Sequence, residues 1–387
     1  MTAPERLRVL MVLNSLAPGG TEQSTMLLAP SLREFGIDVS IVTLRAAPHD
    51  MYEAAEARGI DVFRLAAGSF FSQCRQLRAL IRTRAPNIVH TALFDADVMG
   101  RLAAARIGVP VVSSFVNTPY DSARLTDPNV RRWKLRAVQV VDAVTGRFLV
   151  DRFHSVSDGV KDANGRALRI PSERISVAQR GRDTTALGER TPQRRADARR
   201  NLGVDDASAV VLNIGRLEYQ KGQVGLIEAM AIVREDHPSV VLLIAGKDGS
   251  ATLAVRQALD DDPVTAQHVR LLGHRTDVGD LLVAADVLAI SSLFEGTAGV
   301  ALEAMALGTP IVSADLDGLR GVLRHDDTAL LVERSKPEAL AAGINMVLSD
   351  RQLASRLTKH AVADFQVRFT LPAAALKLAD LYRSVAG

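Results

Sequence analysis

Glu295 and Glu303 stand with seven residues between them in a stretch, 293–310, that reads Leu-Phe-Glu-Gly-Thr-Ala-Gly-Val-Ala-Leu-Glu-Ala-Met-Ala-Leu-Gly-Thr-Pro. Ionised carboxylates are strong acceptors, so such a pair can hold the hydroxyls of a sugar or a ribose. The small residues Gly296, Thr297, Ala298 and Gly299 sit where a helix should begin, and free N–H groups at a helix start let a diphosphate approach closely. The elements that must position this chemistry are an apolar strand over 287–290 and a helix over 300–307, rich in Ala, Leu, Met and Glu and stopped by Gly308 and Pro310. Glu295 then lies on the strand-to-helix loop. Glu303 falls one to two turns into the helix, at a rise of about 1.5 Å per residue.

A second stretch, 213–222, reads Asn-Ile-Gly-Arg-Leu-Glu-Tyr-Gln-Lys-Gly between an apolar strand and a helix. Arg216 can hold phosphate oxygens bidentately and Lys221 adds a point charge, which together suit a departing diphosphate. Near the start, residues 14–22 read Asn-Ser-Leu-Ala-Pro-Gly-Gly-Thr-Glu, and Gly19 and Gly20 permit close backbone approach just before a helix. No G-x-G-x-x-G occurs there, so a dinucleotide fingerprint is absent.

The spaced glutamates followed by Ala-Met-Ala-x-Gly-x-Pro, with Gly-Arg-Leu and Lys-Gly upstream, resemble the signature of the retaining family 4 glycosyltransferases (glycosyl transferases group 1). The Gly-Gly-x-Glu loop at 19–22 resembles theirs as well. The resemblance implies an α/β chain of GT-B fold, with two Rossmann-like, doubly wound parallel-sheet domains facing across a cleft and a C-terminal helix crossing back to the first. It implies that Arg216, Lys221 and Glu295 form the catalytic set. Gly20, Gly215, Gly296, Thr297, Ala298 and Glu303 would bind the donor, Glu303 at the ribose. Two departures mark the acceptor side. Residues 113–120 read Ser-Ser-Phe-Val-Asn-Thr-Pro-Tyr, placing Asn117 where many members carry a His, and the hinge reads Arg180-Gly181-Arg182-Asp183 instead of Asn-Gly-x-Asp. Asn117, His154 and Arg182 are the acceptor-side candidates, and Gly321 stands where many members carry Glu.

With 387 residues, 47% of them hydrophobic, the chain can build two domains with separate cores. The expected division is 1–187, completed by about 368–387, and 188–367. Strand-like and helix-like runs alternate: strands over 8–14, 39–44, 88–92 and 109–115 with helices over 21–35, 71–84 and 96–107. A polar, Arg-rich stretch over 188–200 reads as linker plus lead-in helix. The pattern restarts with strands over 209–214, 240–245, 269–272, 287–290 and 310–314, and residues 364–385 read as the final helix.

One cysteine excludes a disulfide framework, and the eight His show no zinc-site spacing, so neither a metal nor a cofactor is expected. Aromatics at 4% argue against a nucleic-acid platform. No apolar run reaches the roughly 18 residues of a membrane span, and residues 9–13 are too short for a signal peptide, which points to the cytoplasm. The net charge of +3 is uneven: residues 1–185 hold 25 Lys and Arg against 18 Asp and Glu, whereas 186–387 hold 22 against 26. That asymmetry, and four cations around the only Trp within 131–136, allow contact between the basic first domain and the inner face of a membrane. The expected reaction moves a sugar from a nucleoside diphosphate, a UDP-sugar being favoured, to an unidentified acceptor hydroxyl. The acceptor would be a sugar, a glycolipid or a small metabolite. A nucleotide-sugar epimerase of the same fold and a non-catalytic nucleotide-sugar-binding scaffold are the alternatives.

Overall fold

The computed structural model describes residues 6–386; residues 1–5 and 387, which the expected first domain includes, lie outside them. The chain divides into two compact units, one of residues up to 121, 128–182 and 368 onward, the other of 122–127 and 183–367.

The first unit is built on a wholly parallel sheet of seven strands: β1 Leu7–Leu13, β2 Ile37–Thr43, β3 Val62–Arg64, β4 Ile88–Ala92, β5 Val111–Phe115, β6 Arg152–Ser155 and β7 Ile175–Val177. Their spatial order is β3-β2-β1-β4-β5-β6-β7. Val9, Leu10, Val12 and Leu13 of β1 are all fully buried. Such unbroken apolar runs form strands here because helices cover both faces of a parallel sheet. Register is tight at the centre, where Val9 pairs with Val39 on one side and Ile88 on the other.

The second unit holds six parallel strands, β8 Val210–Ile214, β9 Val241–Ala245, β10 Val269–Gly273, β11 Val287–Ile290, β12 Ile311–Ala314 and β13 Leu330–Val332, in the order β10-β9-β8-β11-β12-β13. Strand order reverses between β1 and β4 in the first sheet and between β8 and β11 in the second. Open sheets of this kind bind ligands beyond the carboxyl ends of the strands at that reversal. The loops after β8 and β11 are the ones that carry Gly215 to Lys221 and Glu295 to Ala298.

Two readings differ from the structure. The single final helix over 364–385 is two, Arg351–Arg368 and Leu371–Ala386. The break falls at Phe369 and Thr370, where the Arg182 N–H donates to the Phe369 carbonyl at 2.9 Å and Arg182 bridges Thr370. Pro372, lacking an N–H, is tolerated only in the first turn of the new helix. The same bridge keeps Arg182 with the first unit, so the units divide there rather than at 187/188. The Arg-rich stretch forms the helix Pro192–Asn201, capped by the Thr191 hydroxyl. Among the described residues, no helix is long and apolar enough to cross a membrane.

Candidate active site

In the second unit, the loop after β8 turns through a short 3₁₀ segment, Tyr219–Lys221, and the loop after β11 comes to meet it. The Leu293 N–H donates to the Gln220 carbonyl at 2.8 Å, and the Ser291 hydroxyl to the Lys221 carbonyl at 2.9 Å. Between Lys221 and the helix that follows, Gly222 takes a left-handed φ of +63°. A Cβ there would fall 2.2 Å from the Ser291 carbonyl oxygen, so only glycine lets the two loops close.

This closure brings Lys221 Nζ into a short ion pair with Glu295 Oε1. Ser292 Oγ donates to the same oxygen at 2.9 Å, and Gln220 Nε2 reaches Oε2 at 3.4 Å while holding the Phe294 carbonyl at 2.8 Å. Glu295 is buried, and its Lys221 partner keeps 25% of its side chain exposed. Arg216 stands apart from this cluster with 68% of its side chain exposed, steadied by Glu218 at 3.0 Å. Glu218 in turn takes the Ser250 hydroxyl, which ties the loop after β8 to the one after β9.

The helix after Glu295 is Gly299–Leu307, and no side chain caps its start. Ala298 precedes it in a left-handed conformation, φ +40°, which costs a non-glycine residue on the order of 1 kcal/mol. Thr297 is 2% exposed, and its hydroxyl has no hydrogen-bond partner among the described residues. A buried unsatisfied hydroxyl beside uncapped helix N–H groups is where an anionic or hydroxylated ligand would restore the missing bonds. Glu303 lies in the second turn of this helix, half-buried. Under the loop, Gly318 packs so closely that a Cβ would come within 1.8 Å of the Glu295 carbonyl oxygen. Gly215, Arg216, Lys221, Glu295, Gly296, Thr297 and Ala298 therefore all belong to the two strand-to-helix connections at the strand reversal of this unit, and Glu303 to the helix that follows the second.

The remaining candidates lie in the first unit. Gly20 opens the helix Gly20–Glu34, and a Cβ on it would meet Arg180 Nη1 at 3.3 Å. Arg180 donates to Thr21 Oγ1 at 3.0 Å and Arg182 to Ser24 Oγ at 3.4 Å, so both cations lie along the first turns of that helix. Burial pushes the Glu22 carboxyl above its ordinary value, partly offset by a backbone hydrogen bond and Arg180. Asn117 is exposed, and its carbonyl accepts from Asn164 Nδ2 at 2.8 Å.

His154 spends both ring nitrogens inside the unit. Its Nε2 bonds the Ala178 carbonyl at 2.8 Å and its Nδ1 the Ser114 hydroxyl at 2.7 Å. That hydroxyl also meets His90 Nε2 at 2.7 Å, and His90 Nδ1 meets the Tyr382 hydroxyl at 2.6 Å. A carbonyl can only accept, so one assignment satisfies the whole chain: Tyr382 donates to His90, His90 to Ser114, Ser114 to His154 and His154 to Ala178. Both imidazoles are then neutral, in line with burial pushing His154 down to about 4 and His90 well below its usual value. The relay fastens the C-terminal helix Leu371–Ala386 to β4, β5 and β6.

A histidine whose folded value lies below its unfolded one stabilises the fold fully above about pH 6.5 and loses that contribution as pH falls. Urea unfolding of the first unit should show His154 alone removing roughly 3 kcal/mol between pH 6.5 and 4. His154→Gln should flatten this slope. If parent and variant lose stability in parallel with pH, the relay is not its origin.

Gln220 and Ser292 are site residues that motif reading missed, although they stand one and three positions from Lys221 and Glu295, whereas the Asp317-Gly318 turn after β12 is legible as a post-strand glycine turn. Among the described residues no group of three or more His, Cys, Asp or Glu is placed to hold a metal ion.

Comparison with known proteins agrees with this fold. Residues 194–363 match the family Glycosyl transferases group 1 and residues 18–186 match Glycosyltransferase Family 4. A D-inositol 3-phosphate glycosyltransferase of Thermobispora bispora is 28% identical, over 94% of this chain and 89% of its own. The Rhodococcus jostii enzyme of the same name is 27% identical, over 92% and 85%. Among solved structures, Anabaena HepE in complex with UDP-glucose superposes with a TM-score of 0.85 at 21% identity, covering 98% of this chain and 100% of that one. Sucrose-phosphate synthase from Thermosynechococcus elongatus gives a TM-score of 0.82 at 22%, covering 98% and 99%. With two doubly wound sheets, the paired strand-to-helix loops and both family matches in hand, the chain belongs to the family 4 glycosyltransferases of GT-B fold.

Proposed function

We propose that the chain transfers a sugar from a nucleoside diphosphate, UDP before other bases, to an acceptor hydroxyl with retention of anomeric configuration. The observation that carries this reading is the convergence of Lys221 and Glu295 at the strand reversal, beside the uncapped helix start and the unpartnered Thr297 hydroxyl. The named complexes of HepE with UDP and UDP-glucose support the choice of base.

Glu303 holds the ribose and Glu295 the donor sugar, while Gly20, Gly215, Gly296 and Ala298 allow backbone to approach the donor. As the anomeric C–O bond breaks, negative charge grows on the diphosphate, and Arg216, Lys221 and the N–H groups of the helix Gly299–Leu307 stabilise it. The acceptor oxygen bonds to the anomeric carbon on the face the diphosphate leaves, and its proton passes to a phosphate oxygen. No metal ion is needed, so EDTA leaves transfer unchanged. Asn117 and Arg182 serve the acceptor, and the names of the curated relatives make a phosphorylated cyclitol the first to try.

The test is a thermal shift with millimolar UDP, GDP, ADP and TDP, since a ligand at 100 times its Kd adds about 2.7 kcal/mol. UDP should raise the melting temperature, and Glu303→Ala should abolish the rise. No shift with any of the four would sink the reading, and an isomerised rather than hydrolysed or transferred donor would make the protein an epimerase.

A further inference from the structure

The helix Arg132–Leu149 of the first unit turns a second apolar face outward, away from the core it packs on. Its inward face carries Asp142, buried, with Oδ1 2.6 Å from Arg101 Nη1, and Gly146, where a Cβ would lie 3.2 Å from the Phe153 ring. Its outward face is apolar: Trp133 is 67% exposed, Val140 56%, Val144 52% and Phe148 75%. These positions, at i, i+7, i+11 and i+15, fall on one stripe about 22 Å long. Ordinary scatter leaves single hydrophobic residues on a surface, not a continuous stripe on one helix.

The charges beside the stripe decide what covers it. Arg132, Arg136 and Arg147 border one side and Lys134 the other, all exposed, and Lys134 Nζ sits 5.6 Å from the centre of the Trp133 ring. The helix has a single carboxylate, Asp142, and it points inward. A second copy of this helix laid on the stripe would set cations against cations. An anionic bilayer offers acyl chains to Trp133, Val140, Val144 and Phe148 and headgroup charge to the flanking cations, the two attractions that together hold an interfacial helix.

We propose that this helix docks the protein on an anionic lipid surface, Trp133 and Phe148 entering the interface. The inference goes beyond the transferase reading, and its test uses no activity. Trp133 is the only tryptophan, so its emission reports this helix alone. With vesicles of phosphatidylcholine and one third phosphatidylglycerol at low salt, the protein should pellet and its emission should shift to the blue; phosphatidylcholine alone should do neither. Arg132→Gln/Arg136→Gln should weaken partitioning by more than roughly tenfold, at about fivefold per cation. Phe148→Gln should reduce pelleting and the spectral shift together, while circular dichroism shows the fold intact because this side chain is exposed. The proposal is overturned if the anionic vesicles leave the protein in solution, if these variants pellet like the parent, or if light scattering shows a dimer that Phe148→Gln dissolves.

Discussion

Replacing Lys221 by alanine should lower sugar transfer by on the order of 10² to 10³-fold at saturating donor, with the fold retained. Lys221 leaves the 3₁₀ turn after β8 and meets Glu295 from the loop after β11, four residues before the helix Gly299–Leu307 begins. In water a point charge near a diphosphate is worth little, but at a largely buried carboxylate it acts in a lower dielectric. It also helps hold Glu295, whose oxygens meet Ser292 and Gln220 as well. Because one side chain serves both groups, Lys221→Ala and Glu295→Gln should not be additive: the double variant should be barely slower than the worse single one. Single-turnover kinetics with saturating UDP-sugar gives the check. Lys221→Ala retaining more than about a tenth of the parental rate, or fully additive losses, would remove Lys221 from the charge on the leaving group.

How far these features are legible in the chain depends on how local their causes are. An unbroken apolar run marks Val287–Ile290 at its structural limits, since a strand buried on both faces needs no polar alternation, and Ile88–Ala92 is legible at its limits although His90 and Thr91 interrupt its apolar residues. Strands of three residues, Val62–Arg64, Ile175–Val177 and Leu330–Val332, are too short to carry a period, and pairing with a neighbour makes them strands. The apolar positions of 364–385 run on through Phe369 and mask the break into two helices, although Pro372 marks it locally and the Arg182 bridge fixes where it falls. At the site, the glutamate spacing and the Gly-Arg-Leu and Lys-Gly pairs place the loops, because backbone demands there act within a few residues. The Tyr382, His90, Ser114 and His154 relay spans 292 positions between its first two members and has no local signal. The Asp317-Gly318 turn is legible after its strand, but the reason 318 must be glycine is not, because it is set by a carbonyl from the preceding connection.

The largest stability effect should come from Arg101, among the biggest fully buried side chains of the protein at 1% exposure. It sits on the helix Phe94–Ala104 and reaches Asp142 of the helix Arg132–Leu149 at 2.6 Å, with Ser113 Oγ at 3.0 Å and Thr145 Oγ1 at 2.9 Å. Asp97 lies 3.9 Å from its other nitrogen and accepts from Thr91 Oγ1 at 2.5 Å. Tyr120 donates to the second oxygen of Asp142 at 2.8 Å. Burial pushes the Asp97 carboxyl up to about 7 even with Arg101 beside it, so desolvation already outweighs the attraction. Removing the guanidinium leaves two buried carboxyls without their counter-charge, and Arg101→Met should cost about 3–5 kcal/mol. Breaking one partner is costly where removing the whole set is not. Asp97→Asn/Asp142→Asn in the Arg101→Met background should therefore recover much of the loss. Urea unfolding followed by circular dichroism reads both, and the idea fails if Arg101→Met is destabilised by less than about 1 kcal/mol or if the added Asn substitutions deepen the loss. Because Asp142 is the inward anchor of the helix that turns Trp133 and Phe148 outward, Arg101→Met should also loosen that helix, seen as faster amide exchange over 132–149 than in the rest of the first unit.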